Sequence, residues 1–167
     1  IFGDYDVDGC VSVSIMFNFL KKNKAKVSYY IPNRFNDGYG ASKITLIRLF
    51  KKNLPELIIF LDCGSNSHDA LSYIKKLKIK TIIIDHHNIQ KPYPKTDVLI
   101  NPKKECNYID QNYLCSAFLT YLFLDQYIRL NKSKLQIKDD LIYVLLATIT
   151  DVMPLRGINR LLAQKVL

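Results

Sequence analysis

The sequence predicts an α/β fold: a mostly parallel sheet of about five strands with helices on both faces, and a later part that is mainly helical. Three observations predict it. Apolar runs of four to six residues, rich in Ile, Leu and Val, recur along the first hundred residues, as expected for parallel strands covered on both sides. Helical patterns separate these runs. Beyond residue 100 the strand-like runs give way to two long oily stretches.

Each element is read from local pattern. The candidate strands are 1–4, 26–31, 57–61, 81–84 and 98–100. A helix is expected over 10–23, where Val11, Ile15, Phe19 and Leu20 fall at helical spacing. A second is expected over 42–53 behind the cap Ser42, and a third over 67–77. After a loop containing Pro92, Pro94 and Pro102, two apolar helices are expected at 113–129 and 139–150, the latter opened by Asp139 and Asp140 at its positive end. Being oily around most of their circumference, both should be buried against the sheet or against a partner.

At 167 residues and 49% apolar, the chain suits one well-filled core, so residues 1–167 are read as a single domain. It starts inside an apolar run and breaks off at Val166-Leu167 inside a helical pattern. We therefore expect a piece of a longer protein, with 152–167 leading towards a further C-terminal domain. The net charge of +9 points to an anionic partner, most simply nucleic acid. Only five of the 24 basic residues are arginine, however, and the chain is rich in Asn, Ile and Tyr, a bias that compositional drift also produces.

Cys10, Cys63, Cys106 and Cys115 form no C-x-x-C pair and no zinc-like spacing, so reduced, mostly buried thiols of a cytoplasmic protein are expected. The longest oily stretch, 114–124, is interrupted by Ser116 and Thr120 and is too short to cross a bilayer. No membrane association is expected.

The chemistry lies where oily runs end in acid. These endings are Asp4, Asp6 and Asp8 after the first run, Asp62 after Leu57–Leu61, Asp85-His86-His87 after Ile82-Ile83-Ile84, and Asp151 after Leu145–Thr150. Ligands of an open parallel sheet gather outside the carboxyl ends of its strands, which is where the first three groups fall. Taken singly, each acid reads as a helix cap or turn former. Gathered together they would repel by several kcal/mol unless cations neutralise them or some take up protons. Asp4, Asp6 and Asp8 alternate and can surround a cation, with Gly9 letting the chain turn into the helix. Oxygen ligands with an imidazole suit two ions of manganese or magnesium, and the imidazole favours manganese. Asp62 is the candidate bridge between them. Of the adjacent histidines, His86 is assigned to metal and His87 to a substrate phosphate, with the reverse assignment left open.

Four stretches, Gly3-Asp4-Tyr5-Asp6-Val7-Asp8-Gly9, Asp62-Cys63-Gly64, Asp85-His86-His87 and the segment from Ala147 to Leu155, resemble in order and spacing the motifs of the DHH phosphoesterase superfamily. Ile31 to Gly40 and Pro154 to Arg160 are similar to its RecJ-type branch of single-strand-specific exonucleases. The resemblance implies that the first-motif aspartates, Asp62, His86 and Asp151 hold manganese or magnesium. It further implies hydrolysis of single-stranded DNA from the 5′ end, releasing mononucleotides, in repair and recombination, by a monomer that can meet repair or replication proteins. Asp62, His86, His87 and Asp151 are its catalytic candidates. Arg34 and Tyr39 could bring a cation and a stacking ring to a strand, and Arg156 and Arg160 could contact phosphate; the alternatives are ordinary surface and packing roles.

Two departures from the superfamily stand out. Phe2 occupies the place where many members carry a histidine, so one metal lacks a nitrogen ligand or relies on Asp4. The glycine-rich companion domain and oligonucleotide-binding barrel expected of RecJ proteins are not in this sequence. Two other readings compete with the exonuclease: a phosphatase of the same superfamily acting on oligonucleotides, cyclic dinucleotides or pyrophosphate, and a non-catalytic replication scaffold.

Overall fold

The structure is a computed structural model that describes residues 1–38, 40–51, 53–104 and 112–167. Its sheet has three parallel strands in the order β1 (Leu57–Leu61), β2 (Lys80–Ile84) and β3 (Val98–Ile100). The register pairs Ile59 with Ile82 and Ile84 with Ile100. The parallel order continues beyond β1 through single bridges: Phe2 pairs with Phe60 on one side and with Tyr30 on the other. Phe2 N–H donates to the Ile59 carbonyl at 2.9 Å, and Tyr30 N–H donates to that of Ile1 at 2.9 Å.

The expected strands 1–4 and 26–31 thus occupy sheet positions, reduced to the single bridged residues Phe2 and Tyr30. The reasons are local. The chain leaves the sheet at once to start α1 (Val7–Lys22), and 26–31 lies at the outer edge, where Tyr29 is exposed.

The helices lie on both faces because side chains alternate along a strand. Ile58, Phe60 and Ile83 point to one face and pack with Leu46 of α2 (Lys43–Phe50) and Leu71 and Ile74 of α3 (His68–Lys76). Ile59, Leu61 and Ile84 point to the other face. There they meet Ile15 and Phe19 of α1, Phe118 and Leu124 of α4 (Ser116–Leu130), and Val144 and Leu145 of α5 (Leu141–Thr150). Each fully buried Leu, Ile or Phe in these layers is worth about 1.5–3 kcal/mol of transfer free energy. Two clusters on opposite faces clamp the sheet and fix where its carboxyl ends lie.

Helix starts match the expected chemistry in part. Ser42 Oγ accepts from Thr45 N–H at 3.1 Å and caps α2. Asp139 and Asp140 belong to a 3-10 turn (Lys138–Asp140) preceding α5, and they act by charge, since no side-chain cap bond is made there. α5 is buried on one face only: Ile142, Leu146 and Ile149 are about half exposed. A final helix, α6 (Gly157–Val166), packs Leu162 into the core. Among the described residues, no helix is long and apolar enough to cross a membrane. Cys10, Cys63 and Cys115 are free thiols, the last two buried; Cys106 lies outside the described residues.

Candidate metal centre

Parallel strands end on the same side, so the residues just beyond their carboxyl ends converge. Asp62 comes directly after β1 and Asp85 directly after β2, and both are buried. Asp62 adopts φ 61°, a left-handed conformation that non-glycine residues rarely take. Its N–H still donates to the Ile84 carbonyl at 2.9 Å, so the turn begins only after the sheet bond is made. Asp4 leaves the sheet after Gly3, and Asp151 ends α5 as its C-cap.

Gly9 works here by its missing side chain. It lies inside α1, and a Cβ on it would stand 2.5 Å from the Asp4 carbonyl oxygen. Sequence pattern gives this glycine a turning role. The observed reason is close approach, which brings the start of α1 against the Asp4 backbone and places Asp8 beside Asp62 and His86.

Four chain-distant segments meet in one cluster. His86 Nε2 lies 3.4 Å from Asp62 Oδ1, 3.4 Å from Asp151 Oδ2 and 3.7 Å from Asp8 Oδ2. Ligand atoms of Asp8, His86 and Asp151 lie within 4.8 Å of one another, as do those of Asp4, Asp6 and Asp62, and those of Asp62, His86 and His87. Asp62 and His86 each belong to two of these groups. Asp6 has a second duty: its carboxylate accepts from Gly9 N–H at 2.9 Å and caps α1, so the alternative reading of that acid as a cap also holds.

Both histidine rings reach the cluster. Asp85 Oδ1 accepts from the backbone N–H of His86 at 2.7 Å and of His87 at 3.1 Å, curling the chain so that the ring centroids stand 4.9 Å apart. His87 Nδ1 pairs with Asp85 Oδ1 at 2.8 Å and lies 3.9 Å from Asp62 Oδ1. The arrangement places His86 deepest among the carboxylates and His87 at the half-buried rim.

Electrostatics separate these groups by role. Burial raises the carboxyl pKa of Asp4, Asp8, Asp62 and Asp151; neighbouring carboxylates add to the effect at each of them. Burial also lowers His86 to about 4, keeping it neutral with a lone pair to offer a metal. Asp85 is the exception. Burial pushes it up, but bonds from the His87 ring, Ser65 N–H and the His87 backbone hold it below the usual carboxylate range. It in turn raises His87.

The donor set fits divalent cations. Asp4 Oδ2, Asp62 Oδ2, Asp151 Oδ2 and His86 Nδ1 are buried with no hydrogen-bond partner among the described residues. Orphaned buried anionic oxygens cost too much to persist without compensation. Oxygens with one or two imidazoles make a hard to borderline set that suits manganese or magnesium. Cys63 is buried, and burial raises its thiol well above its ordinary range, so it is packed and not a nucleophile.

Two positioning groups are not legible in the sequence pattern. Ser116 opens α4; its N–H donates to Asp8 Oδ2 at 2.7 Å, Ala117 N–H donates to Asp8 Oδ1 at 2.8 Å, and Ser116 Oγ donates to Asp62 Oδ1 at 2.9 Å. One helix start thus clasps two carboxylates. The available signal was a serine breaking an oily run. Asn101, just after β3, donates to Ser65 Oγ at 2.9 Å and to the His87 carbonyl at 3.0 Å, steadying the histidine turn.

The expected substrate residues are more scattered. Arg34 lies exposed over the Tyr5 ring at 5.7 Å, next to the first acidic motif. Its loop is tied down by Asp37, which bonds Tyr30 Oη, Asn33 N–H and Arg48. Tyr39 lies outside the described residues. Arg156 stacks 4.8 Å over the Tyr113 ring at the entry to α6, and Arg160 is exposed on that helix.

An acidic and imidazole cluster at the carboxyl end of a parallel α/β sheet marks a metal-binding fold, and the chain belongs to the DHH family: residues 1–149 match the DHH family, N-terminal domain. It is 33% identical over 166 residues to the single-stranded-DNA-specific exonuclease RecJ of Bacillus subtilis (strain 168), covering 98% of this chain and 20% of that protein. A crystal structure of exonuclease RecJ bound to manganese superposes with a TM-score of 0.86 at 26% identity, over 99% of this chain and 41% of that one. RecJ from Thermus thermophilus in complex with Mn2+ gives 0.79 at 25% identity, over 99% and 23% respectively. The chain spans 20% to 30% of the length of the curated relatives it matches.

Proposed function

We propose that this chain is the catalytic domain of a two-metal phosphodiesterase, a 5′ to 3′ exonuclease on single-stranded DNA serving repair and recombination. One observation carries the reading: His86 Nε2 lies within 3.7 Å of carboxylate oxygens from three distant segments, and Asp4, Asp62 and Asp151 each keep a buried oxygen without a partner among the described residues. The choice of single-stranded DNA follows the names of the RecJ relatives, and manganese follows the two RecJ structures that hold it. The 5′ to 3′ direction comes from the motif resemblance. We read the protein as a cytoplasmic monomer.

The ligand roles divide as the geometry suggests. Asp4, Asp6 and Asp62 would hold one ion; Asp8, His86 and Asp151 would hold the other, with Asp62 between them. Bound there, divalent cations supply Lewis acidity, offsetting phosphate charge and lowering the pKa of water. His87, paired at Nδ1 with Asp85 and kept more basic by it, would steady charge developing on a phosphate at the rim of the cluster. With Oδ1 engaged by Ser116, Asp62 would have its unpartnered Oδ2 left to hold a cation.

The test incubates the full-length protein with manganese and end-labelled 5′-phosphorylated single strands, beside duplex DNA, a cyclic dinucleotide and pyrophosphate. Mononucleotides released from the 5′ end of single strands are the expected outcome. Turnover of the small phosphates alone would replace this reading with a phosphatase, and failure to bind manganese would remove it.

A further inference from the structure

The metal cluster is acidic, so the surplus of positive charge must lie elsewhere, and part of it converges on a cavity away from that cluster. At the opposite end of the sheet, where β2 begins and β3 is about to begin, a cleft of about 510 Å³ opens between the end of α3 and residues 95–97. Its volume falls within the range of ligand sites. Its floor is apolar, made by the buried Leu71, Ile74 and Ile79. Its rim carries Lys75, Lys78, Lys80 and Lys95, all exposed.

The one carboxylate that lines the cleft among the described residues is already engaged. Asp97 Oδ1 pairs with Lys80 Nζ at 2.9 Å, and Oδ2 accepts from Thr81 N–H at 2.9 Å. Lys75, Lys78 and Lys95 have no carboxylate partner among the described residues, which leaves a cleft with three uncompensated cations. From Lys80 to Asp85 the strand climbs five residues, about 16 Å, so this cleft stands well apart from the metal cluster.

We propose that this cleft is a second anion site, which holds backbone phosphates of a nucleic-acid strand away from the place of cleavage. Its chemistry selects phosphate and not bases. Lysine offers a compact point charge instead of the planar fork of arginine, and no aromatic ring among the described residues lines the cleft to stack a base. A hold of this kind is sequence-independent and salt-labile, which suits a strand that must advance after each cut. The presence of an anion site rests on the cleft alone; its assignment to nucleic acid rests on the proposed exonuclease function.

Binding is measured without turnover, on the full-length protein in EDTA, where the metal cluster repels phosphate. The probe is a labelled oligothymidylate titrated across a range of salt. Removing three phosphate contacts at about 0.7 each should flatten the slope of log K against log salt by about 2. The triple substitution Lys75→Ala, Lys78→Ala, Lys95→Ala is therefore expected to bind about tenfold more weakly at low salt with that shallower slope. The control Lys132→Ala, Lys134→Ala, Lys138→Ala removes equal charge from another exposed surface and should change little. Equal losses in both variants, or none in the first, would overturn the proposal. So would competition by polyglutamate as strong as by unlabelled oligonucleotide, which would mark a docking site for acidic protein. Unchanged melting of the triple variant excludes misfolding as the cause. Because no cleavage is read, these outcomes stay distinct from failure of the exonuclease assay.

Discussion

Asp62 carries the densest set of roles of any residue. It holds a left-handed backbone, accepts from Ser116 Oγ, faces His86 and keeps one buried oxygen unpaired among the described residues. Asp62→Ala should abolish turnover, a loss of at least about a thousandfold if both cations depend on it, while circular dichroism stays near that of the parent. Near-normal turnover would overturn the proposed bridging role. Ser116→Ala tests the clasp: removing a group that orients a ligand should weaken manganese binding by about 10–100-fold, read by calorimetry. Ser116→Thr, which keeps the hydroxyl, should restore most of it.

At the scale of elements, the decisive contact joins the start of α1 to the strand end at Asp4. Gly9→Ala would force a Cβ against the Asp4 carbonyl, so α1 must shift and carry Asp8 with it. The expected cost is about 1–3 kcal/mol in chemical denaturation, accompanied by weaker manganese binding. Unchanged stability would show that the backbones part without loss. The same elements show what pattern reading can see. β1 and β2 were legible because both faces of each strand are buried, leaving unbroken apolar runs. The bridges at Phe2 and Tyr30 fell in the expected places but far short of the expected length, because helix entry and edge exposure are decided by neighbours. Of the proposed ligands, Asp4, Asp62 and His86 were legible as strand endings and Asp151, a helix end, chiefly through the motif resemblance, whereas Ser116 was not, because only the docking of α4 brings it to Asp62.

For the whole molecule, the buried acids make stability depend on pH and metal. Asp4, Asp8, Asp62 and Asp151 have pKa values raised in the fold, so the metal-free native state binds more protons than the unfolded chain. Stability should then fall as pH rises above the ordinary carboxylate range. Asp85 and His86 have the opposite sign: the contribution of Asp85 fades as pH drops below that range, and that of the buried neutral His86 fades as pH falls from 6.5 towards about 4. Above about pH 6.5, where His86 is neutral in both states, the metal-free melting temperature should therefore decline towards about pH 8, and manganese should raise it most at the upper end, where it replaces the missing protons. A melting temperature indifferent to manganese would contradict the metal centre.

By itself the sequence determined the α/β class, the order of elements and the types of residue at the strand ends, because burial and alternation act locally and leave a readable period. Only the tertiary structure decided that Gly9 serves by close approach, that both histidine rings face Asp62, that Ser116 grips Asp8 and Asp62, and that lysines from two segments share one cleft. Those relations depend on which backbones come within a few ångströms of each other, and distances between chain-distant groups leave no trace in a linear pattern.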